Sequence, residues 1–142
     1  MKKFIALLLV LVLGLSLIAC GTTNAPAETK AKNAEIVEYV EKNKAELLST
    51  MEESFATSSG MTCTSDIKVE GMGFVFTIKI NELEGLDDAM KALMQEIYDG
   101  MGDVFDQSLT LFQKDLPSLE YYQVLVCEKD GDVVATITAG KK

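Results

Sequence analysis

An apolar run near the N-terminus limits how much of this chain can form a water-soluble domain. The run extends over sixteen residues, from Phe4 to Ala19, and follows Lys2 and Lys3. As a helix it would reach about 24 Å, which is short for the hydrocarbon core of a bilayer. A short positive segment before such a run is typical of a secretory signal peptide and not of a permanent transmembrane helix.

The end of the run indicates which kind of signal peptide this is. Leu17-Ile18-Ala19-Cys20, followed by Gly21, resembles the lipobox of bacterial lipoprotein precursors. In that family the cysteine thiol receives a diacylglycerol group and a peptidase cuts just before it. The resemblance implies that residues 1–19 are removed and that Cys20 carries the lipid. Because two or more acyl chains anchor a protein stably, we expect attachment to the extracytoplasmic face of the cell membrane.

The segment after Cys20 is small and polar. Residues 21–33 read GTTNAPAETKAKN, a composition typical of a flexible linker. We therefore divide the chain into a signal peptide (1–19), a lipidated cysteine with its linker (20–33), one domain (34–139) and a short tail (140–142). About 105 residues are enough for a single hydrophobic core.

The composition excludes several classes of function. The chain has 22 acidic residues against 13 basic ones, all of them lysine, with a formal net charge of −9 and no histidine. This charge has the wrong sign for nucleic acid, whose phosphates require neutralisation. Without histidine there is no Ser-His-Asp or Cys-His arrangement and no histidine ligand for a metal. We expect no nucleic-acid partner, no cofactor and no metal.

Two segments have the periodicity of amphipathic helices, one over 34–56 and one over 86–114. The stripe of the first is formed by Ile36, Val40, Leu47, Met51 and Phe55, with Tyr39 and Leu48 beside it. The stripe of the second is formed by Leu86, Met90, Leu93, Met94, Ile97, Met101, Val104, Phe105, Ser108 and Phe112. Gly100 and Gly102 weaken the middle of the second helix, so we expect a kink or a close packing contact there.

Four shorter segments alternate apolar and polar residues as strands do. They cover 62–69, 74–80, 120–127 and 132–138, and glycine-containing turns join them into two hairpins. The order α-β-β-α-β-β predicts an α+β fold, a two-layer sandwich in which both helices cover one face of a four-stranded antiparallel sheet.

This layout resembles that of a family of small lipoproteins of low-GC Gram-positive bacteria to which no activity is assigned. In that family a lipobox and a short spacer precede a helix–hairpin–helix–hairpin domain, and the second hairpin often has a "DG" turn, here Asp130-Gly131. The resemblance implies a location and a fold, and no reaction.

Cys63 and Cys127 are the thiols that remain once Cys20 is lipidated. They lie in predicted strands of different hairpins, outside the cytoplasm, where disulfides persist. A disulfide between them would close a loop of roughly 64 residues and stabilise the domain by on the order of 4 kcal/mol. The other interpretation is a pair of unbonded, buried thiols that behave as small apolar residues.

Two groups of acidic residues have features of cation sites. Asp99, Asp103 and Asp106 share one stripe of the second helix, and carboxylate oxygens suit a hard cation such as Ca²⁺. They lie opposite the apolar stripe, so we interpret them as a solvated face. The segment 130–132, Asp-Gly-Asp, resembles part of a calcium loop but lacks the later ligands, so we interpret it as a turn.

The sheet face without helices is the predicted partner site, because an exposed apolar patch often marks an interface. The third strand allows two orientations. In one of them the outward residues are Tyr122, Val124 and Val126. In the other they are Tyr121, Gln123, Leu125 and Cys127. We favour the first, which leaves Glu120 and Glu128 in solvent. The candidate partner-binding residues are then Val75, Tyr122, Val124, Val126 and Val134.

These observations predict a lipid-anchored protein of the cell envelope that binds an envelope protein or peptide and is not an enzyme. The alternative is a small-molecule-binding lipoprotein with a pocket between the helices and the sheet, near Gly100 and Gly102. Hydrolysis by a carboxylate pair is a third interpretation, but no pair stands out among the 22 acidic residues.

Overall fold

A computed structural model describes residues 32–141, so the predicted signal peptide, Cys20 and nearly all of the linker lie outside the described residues. The helices are α1 (Lys32–Ser59), α2 (Asp88–Asp99) and α3 (Gly102–Asp115). The strands are β1 (Cys63–Glu70), β2 (Gly73–Ile80), β3 (Tyr121–Cys127) and β4 (Val133–Gly140). The predicted α+β class with a four-stranded sheet is confirmed. None of the helices within this range has the length and apolar character needed to cross a membrane.

The strands form one sheet in the order β1-β2-β3-β4, but the sheet is mixed and not purely antiparallel as predicted. The pairs β1–β2 and β3–β4 are antiparallel hairpins, whereas the central pair β2–β3 is parallel. The chain leaves β2 at one end of the sheet, and α2 and α3 return it to the end at which β2 began. A helical crossover of this kind makes the two strands that it joins parallel.

The predicted second helix is in fact two helices. Gly100 ends α2, and α3 begins at Gly102 after Met101. Each glycine costs about 1 kcal/mol of helix propensity relative to alanine, and two of them within three residues end the first helix. The expected kink is therefore a break. The expected close contact is absent at Gly102, where an added Cβ would meet no atom within 4 Å.

The core lies between one face of the sheet and the three helices. All five predicted stripe residues of α1 are buried in it. At its centre the ring of Phe74 contacts three other aromatic rings, those of Phe76, Phe112 and Tyr122, at centroid distances of 5.3, 5.4 and 6.0 Å. Aromatic side chains thus fill much of the space between the two layers.

Side chains from the helices bind backbone groups at both edges of the sheet. At β1, Glu52 of α1 accepts hydrogen bonds of 2.7 Å from the N–H and the hydroxyl of Ser65. At β4, the Gln95 amide accepts from the N–H of Thr136 and donates to its carbonyl, both at 2.8 Å. Asp106 of α3 accepts from the N–H of Gly140 at 3.0 Å. Because free edge groups are templates for association, these contacts protect both edges at these positions.

Candidate functional sites

The five predicted partner-binding residues do not form an exposed surface, because every one of them is buried. Tyr122, Val124 and Val126 point into the core, since the parallel register sets them beside the core-facing residues of β2. The orientation of the third strand that the sequence favoured is therefore wrong, and the other orientation is observed.

The other two predicted residues are buried on different faces of the sheet. Val134 is the extra residue of a β-bulge: Val126 pairs with Ala135 and Cys127 with Val133, and Val134 joins the core. Val75 lies on the helix-free face but is only 4% exposed. Two successive valines at 133 and 134 give no sequence signal of which one faces inward, so the bulge could not be predicted.

Cys63 and Cys127 are separate, buried thiols in this structure. Cys63 pairs with Ile80 and Cys127 with Lys79. Successive residues of β2 point to opposite faces, so the two thiols lie on opposite sides of the sheet and do not form a disulfide. Of the two interpretations that the sequence left open, the pair of unbonded, buried thiols is the one observed. Burial, with a smaller effect of nearby Glu52, raises the pKa of Cys63 to about 12. Burial also raises the pKa of Cys127, so neither thiol is an activated nucleophile.

The three aspartates of the second predicted helix are exposed, as the sequence indicated. Two of them have structural partners within the domain. Asp99 accepts a hydrogen bond from the Gln95 amide at 2.8 Å, and Asp106 binds the N–H of Gly140 at the edge of β4. We therefore keep the interpretation of a solvated face. The structure adds one role, since Asp106 also binds the edge strand β4.

Glu128 is a buried carboxylate on the turn between β3 and β4. It is 2% exposed, although the sequence-based orientation of β3 placed it in solvent. One of its oxygens accepts a hydrogen bond from the N–H of Leu86 at 2.5 Å, and the other lies 3.3 Å from Nζ of Lys91. The hydrogen bond to Glu128 raises the pKa of Lys91. Glu128 therefore fastens the turn to the start of α2.

Carboxylate oxygens of Glu128, Asp130 and Asp132 lie within 4.8 Å of one another. The segment is a turn, as predicted: the N–H of Gly131 donates to the carbonyl of Glu128 at 3.0 Å. Nζ of Lys91 lies 4.0 Å from Asp132 as well as 3.3 Å from Glu128, so an ammonium group already supplies positive charge to two of the three carboxylates. We interpret the group as a turn fastened to a helix.

One face of α2 leaves apolar side chains in solvent. Leu93 is 50% exposed and Ile97 is 36% exposed, and Met90 is partly buried. Their spacing places all three on one helical face, and we call them the apolar row. The sequence assigned these residues to the core. That assignment is wrong for Leu93 and Ile97 because the break at Gly100 gives each helix its own buried face, and α2 buries only Met94 and Tyr98.

The alternative small-molecule pocket was predicted between the helices and the sheet, near Gly100 and Gly102. Gly100 is exposed and Gly102 is partly exposed, so neither glycine lies in a buried space between the helices and the sheet. The pocket stays a prediction without geometric support at these glycines.

Comparison of the chain with protein-family models, with curated proteins and with solved structures found no match. The resemblance to lipoproteins therefore rests on the sequence around Cys20 and on the order of the elements.

Proposed function

We propose that this chain is a lipid-anchored cell-envelope protein whose domain binds another protein and catalyses no reaction. The sequence from Leu17 to Cys20 supports the anchor. The linker before α1 spans up to about 40 Å when extended, enough to hold the domain clear of the membrane. The net charge of −9, more negative once Lys2 and Lys3 are removed, disfavours contact with an anionic lipid surface.

The observation that carries the binding part of this proposal is the apolar row. Within residues 32–141 the exposed large apolar residues are Leu93, Ile97 and Val133, and two of the three share one face of α2. Covering apolar surface stabilises a complex by about 25 cal/mol per Å² removed from water. A helix face of this kind is a common recognition element for a partner protein.

The absence of enzymatic activity is supported by the chemistry of the described side chains. Burial raises the pKa of both thiols. The buried carboxylate of Glu128 is engaged by Leu86 and Lys91. The chain has no histidine to act as a base near neutral pH.

Metabolic labelling with a tagged fatty acid tests the anchor. We expect the wild-type protein to carry the label, to lack the first 19 residues and to sediment with membranes. The Cys20→Ala variant should be unlabelled and uncleaved, or released from the membrane. A Cys20→Ala protein of mature mass that stays on the membrane would overturn the lipid anchor.

Site-specific photocrosslinking in intact cells tests the binding. A crosslinking residue at position 93 should give a product of defined mass, whereas the same residue at position 133 should not. Val133 is a matched control because it is 49% exposed, close to the 50% of Leu93. Ile97→Glu should remove the product formed at position 93. Identical products from both positions would contradict the proposed surface.

A further inference from the structure

We infer that the outer edge of β4, from Thr136 to Gly140, accepts an extended segment of a partner protein as a fifth strand, and that Gln95 occupies part of this edge until the segment displaces it. The edge is a different surface from the apolar row, because Gln95 lies about 160° around α2 from Leu93. The inference therefore goes beyond the proposed function and is tested separately from it.

Alternate residues of β4 direct their backbone groups away from β3. The N–H and the carbonyl of Thr136 bind Gln95, and the N–H of Gly140 binds Asp106. Because this direction repeats every second residue of an antiparallel pair, the N–H and the carbonyl of Thr138 also point outward. Within residues 32–141 these two groups have no hydrogen-bond partner. The edge therefore presents a row of donors and acceptors whose cover is open at Thr138.

The side chain of Gln95 takes the place of one residue of an added strand. Its amide accepts from the N–H of Thr136 and donates to the carbonyl of the same residue, both at 2.8 Å. Paired residues of an antiparallel ladder exchange the same two hydrogen bonds. An extended segment can therefore replace both bonds at Thr136 and add two more at Thr138. Main-chain hydrogen bonds of this kind provide the affinity when a peptide adds to a sheet edge.

The helix that carries Gln95 is the one with the smallest buried surface to lose. In α2 only Met94 and Tyr98 are buried, and the buried hydroxyl of Tyr98 has no hydrogen-bond partner among the described residues. Where α2 joins α3, Gly102 has no atom within 4 Å of an added Cβ, so its backbone is free to adjust. A small movement of α2 that withdraws Gln95 from the edge is therefore compatible with the rest of the fold.

The other edge of the sheet lacks these properties. At β1 the cover of Ser65 is the carboxylate of Glu52, which accepts hydrogen bonds but cannot donate one to a carbonyl. Glu52 belongs to α1, a 28-residue helix that buries its complete apolar stripe. Displacing α1 would expose a large part of the core. The edge that can exchange its cover for a strand is therefore that of β4.

The helices next to β4 determine what kind of partner fits. Both α2 and α3 pack on β4 and reach its outer edge, through Gln95 and Asp106. A second copy paired through its own β4 would bring its helices to within about 5 Å of these, whereas helices pack about 8–10 Å apart. A single extended segment carries no helix layer and avoids this clash.

The side chains along the edge indicate the composition of the segment. On the helix-free face the neighbours of an added strand are Thr136 and Thr138, which are partly and fully exposed. Threonine beside threonine is a favourable cross-strand pair, and valine has a high strand propensity. The β-bulge at Val134 ends the regular edge towards the turn. We therefore expect a short, uncharged segment rich in Thr and Val.

Peptide titration of the lipidated, full-length mature protein in discs of zwitterionic lipid tests the inference. The probe is a labelled peptide of about eight alternating Thr and Val residues with a Lys at each end. The control peptide has the same sequence with every backbone nitrogen methylated, so it cannot donate hydrogen bonds. The probe should bind and slow hydrogen exchange at the amide of Thr138, and the control should do neither. Empty discs give the baseline for binding to lipid.

Matched substitutions locate the site. Thr138→Pro removes the outward N–H without taking a hydrogen bond from the ladder with β3, and it should weaken binding about tenfold or more. Thr138→Val loses the same side-chain hydrogen bond from Gln123 but keeps the N–H, and it should bind within about twofold of wild type. Gln95→Ala should strengthen binding about tenfold, because two competing bonds are removed. Glu52→Ala uncovers the edge of β1 and should change binding less than about twofold.

Three results would overturn the inference. The first is no binding of the probe above empty discs to either wild type or Gln95→Ala. The second is equal binding to Thr138→Pro and Thr138→Val. The third is a dimer that Thr138→Pro dissociates, which would identify a second copy as the occupant of the edge. Each of them leaves the proposed function standing, because crosslinking from position 93 judges the apolar row independently.

Discussion

The two halves of the domain each combine helix and hairpin, but different interactions hold the helices against the sheet in each half. In the first half α1 buries a complete apolar stripe, and its contacts to the edge of β1 are made by charged side chains: Glu52 binds Ser65, and Lys44 lies 2.7 Å from Asp66 with both side chains about half-exposed. In the second half the helix is broken. A neutral amide, Gln95, binds the edge of β4, and a buried carboxylate, Glu128, fastens the turn.

This difference explains how α2 can leave apolar residues in solvent. A 12-residue helix is marginal on its own in water, and α2 buries only Met94 and Tyr98. Its position therefore depends on polar contacts: Asp87 caps its first turn at 2.8 Å, Glu128 holds its start and Gln95 holds its middle. Hydrogen bonds and the two ion pairs of Lys91, with Glu128 and Asp132, thus help to hold in place the helix that carries the apolar row.

The largest expected effect comes from breaking the buried contact in the second half. Glu128→Ala should lower the free energy of unfolding by about 2–4 kcal/mol, because the N–H of Leu86 loses its acceptor and a buried polar network is broken. The matched change in the first half, Glu52→Ala, should cost about 1–1.5 kcal/mol. Urea denaturation of both variants measures the difference. Equal losses in the free energy of unfolding would mean that the two contacts stabilise their halves of the domain equally.

The next effect concerns the edge of β4. Gln95→Ala should cost about 1–2 kcal/mol, because Thr136 loses both a donor and an acceptor. Gln95→Glu should be no better, since a carboxylate accepts from the N–H of Thr136 but cannot donate to its carbonyl. Hydrogen exchange at the amide of Thr136 should accelerate in Gln95→Ala, where this N–H loses its acceptor, and less in Gln95→Glu, which keeps one. Unchanged exchange in Gln95→Ala would show that α2 does not protect this edge.

Local patterns predicted the elements of the first half well. The stripe of α1 is polar on its outer side, and all five predicted apolar residues are buried. In β2 every second residue from Phe74 to Ile80 is large and apolar, so the sequence clearly identified the face of this strand that is buried. The apolar residues of each segment fit only one periodicity, so the sequence alone was enough to predict the element and its buried face.

The second half was harder to predict because its patterns satisfy two interpretations. The sequence of β3, YYQVLVC, is apolar at both parities, and only the parallel pairing with β2 decides which residues face the core. That pairing is a property of the whole topology. Likewise the stripe of 86–114 fits one long helix, and the exposure of Leu93 and Ile97 follows from the break at Gly100. The candidate surface was therefore not visible in the sequence.

A smaller effect tests how α2 contacts the core. Burial raises the pKa of both Tyr98 and Tyr122. The hydroxyl of Tyr122 donates to the carbonyl of Phe105 at 3.2 Å, whereas that of Tyr98 has no hydrogen-bond partner among the described residues. Tyr98→Phe should therefore be neutral or stabilise by up to about 1 kcal/mol, and Tyr122→Phe should cost about 1 kcal/mol. Thermal unfolding distinguishes the two. A destabilised Tyr98→Phe would reveal a bound partner for that hydroxyl.

The smallest expected effect is the pH dependence of the ion pair in the first half. The hydrogen bond from Lys44 lowers the pKa of Asp66 below its ordinary value of 3.8. A carboxyl whose pKa is lowered by folding stabilises the folded state above its ordinary pKa, and this contribution is lost as the pH falls through the lowered value. Because both side chains are about half-exposed, the pair should contribute at most about 0.5 kcal/mol. Wild type should therefore lose slightly more stability than Asp66→Asn as the pH falls from about 5 to about 3, and added salt should reduce the difference. A difference in the free energy of unfolding as large as that of Glu128→Ala would show that the exposed ion pair stabilises the first half as much as the buried contact stabilises the second.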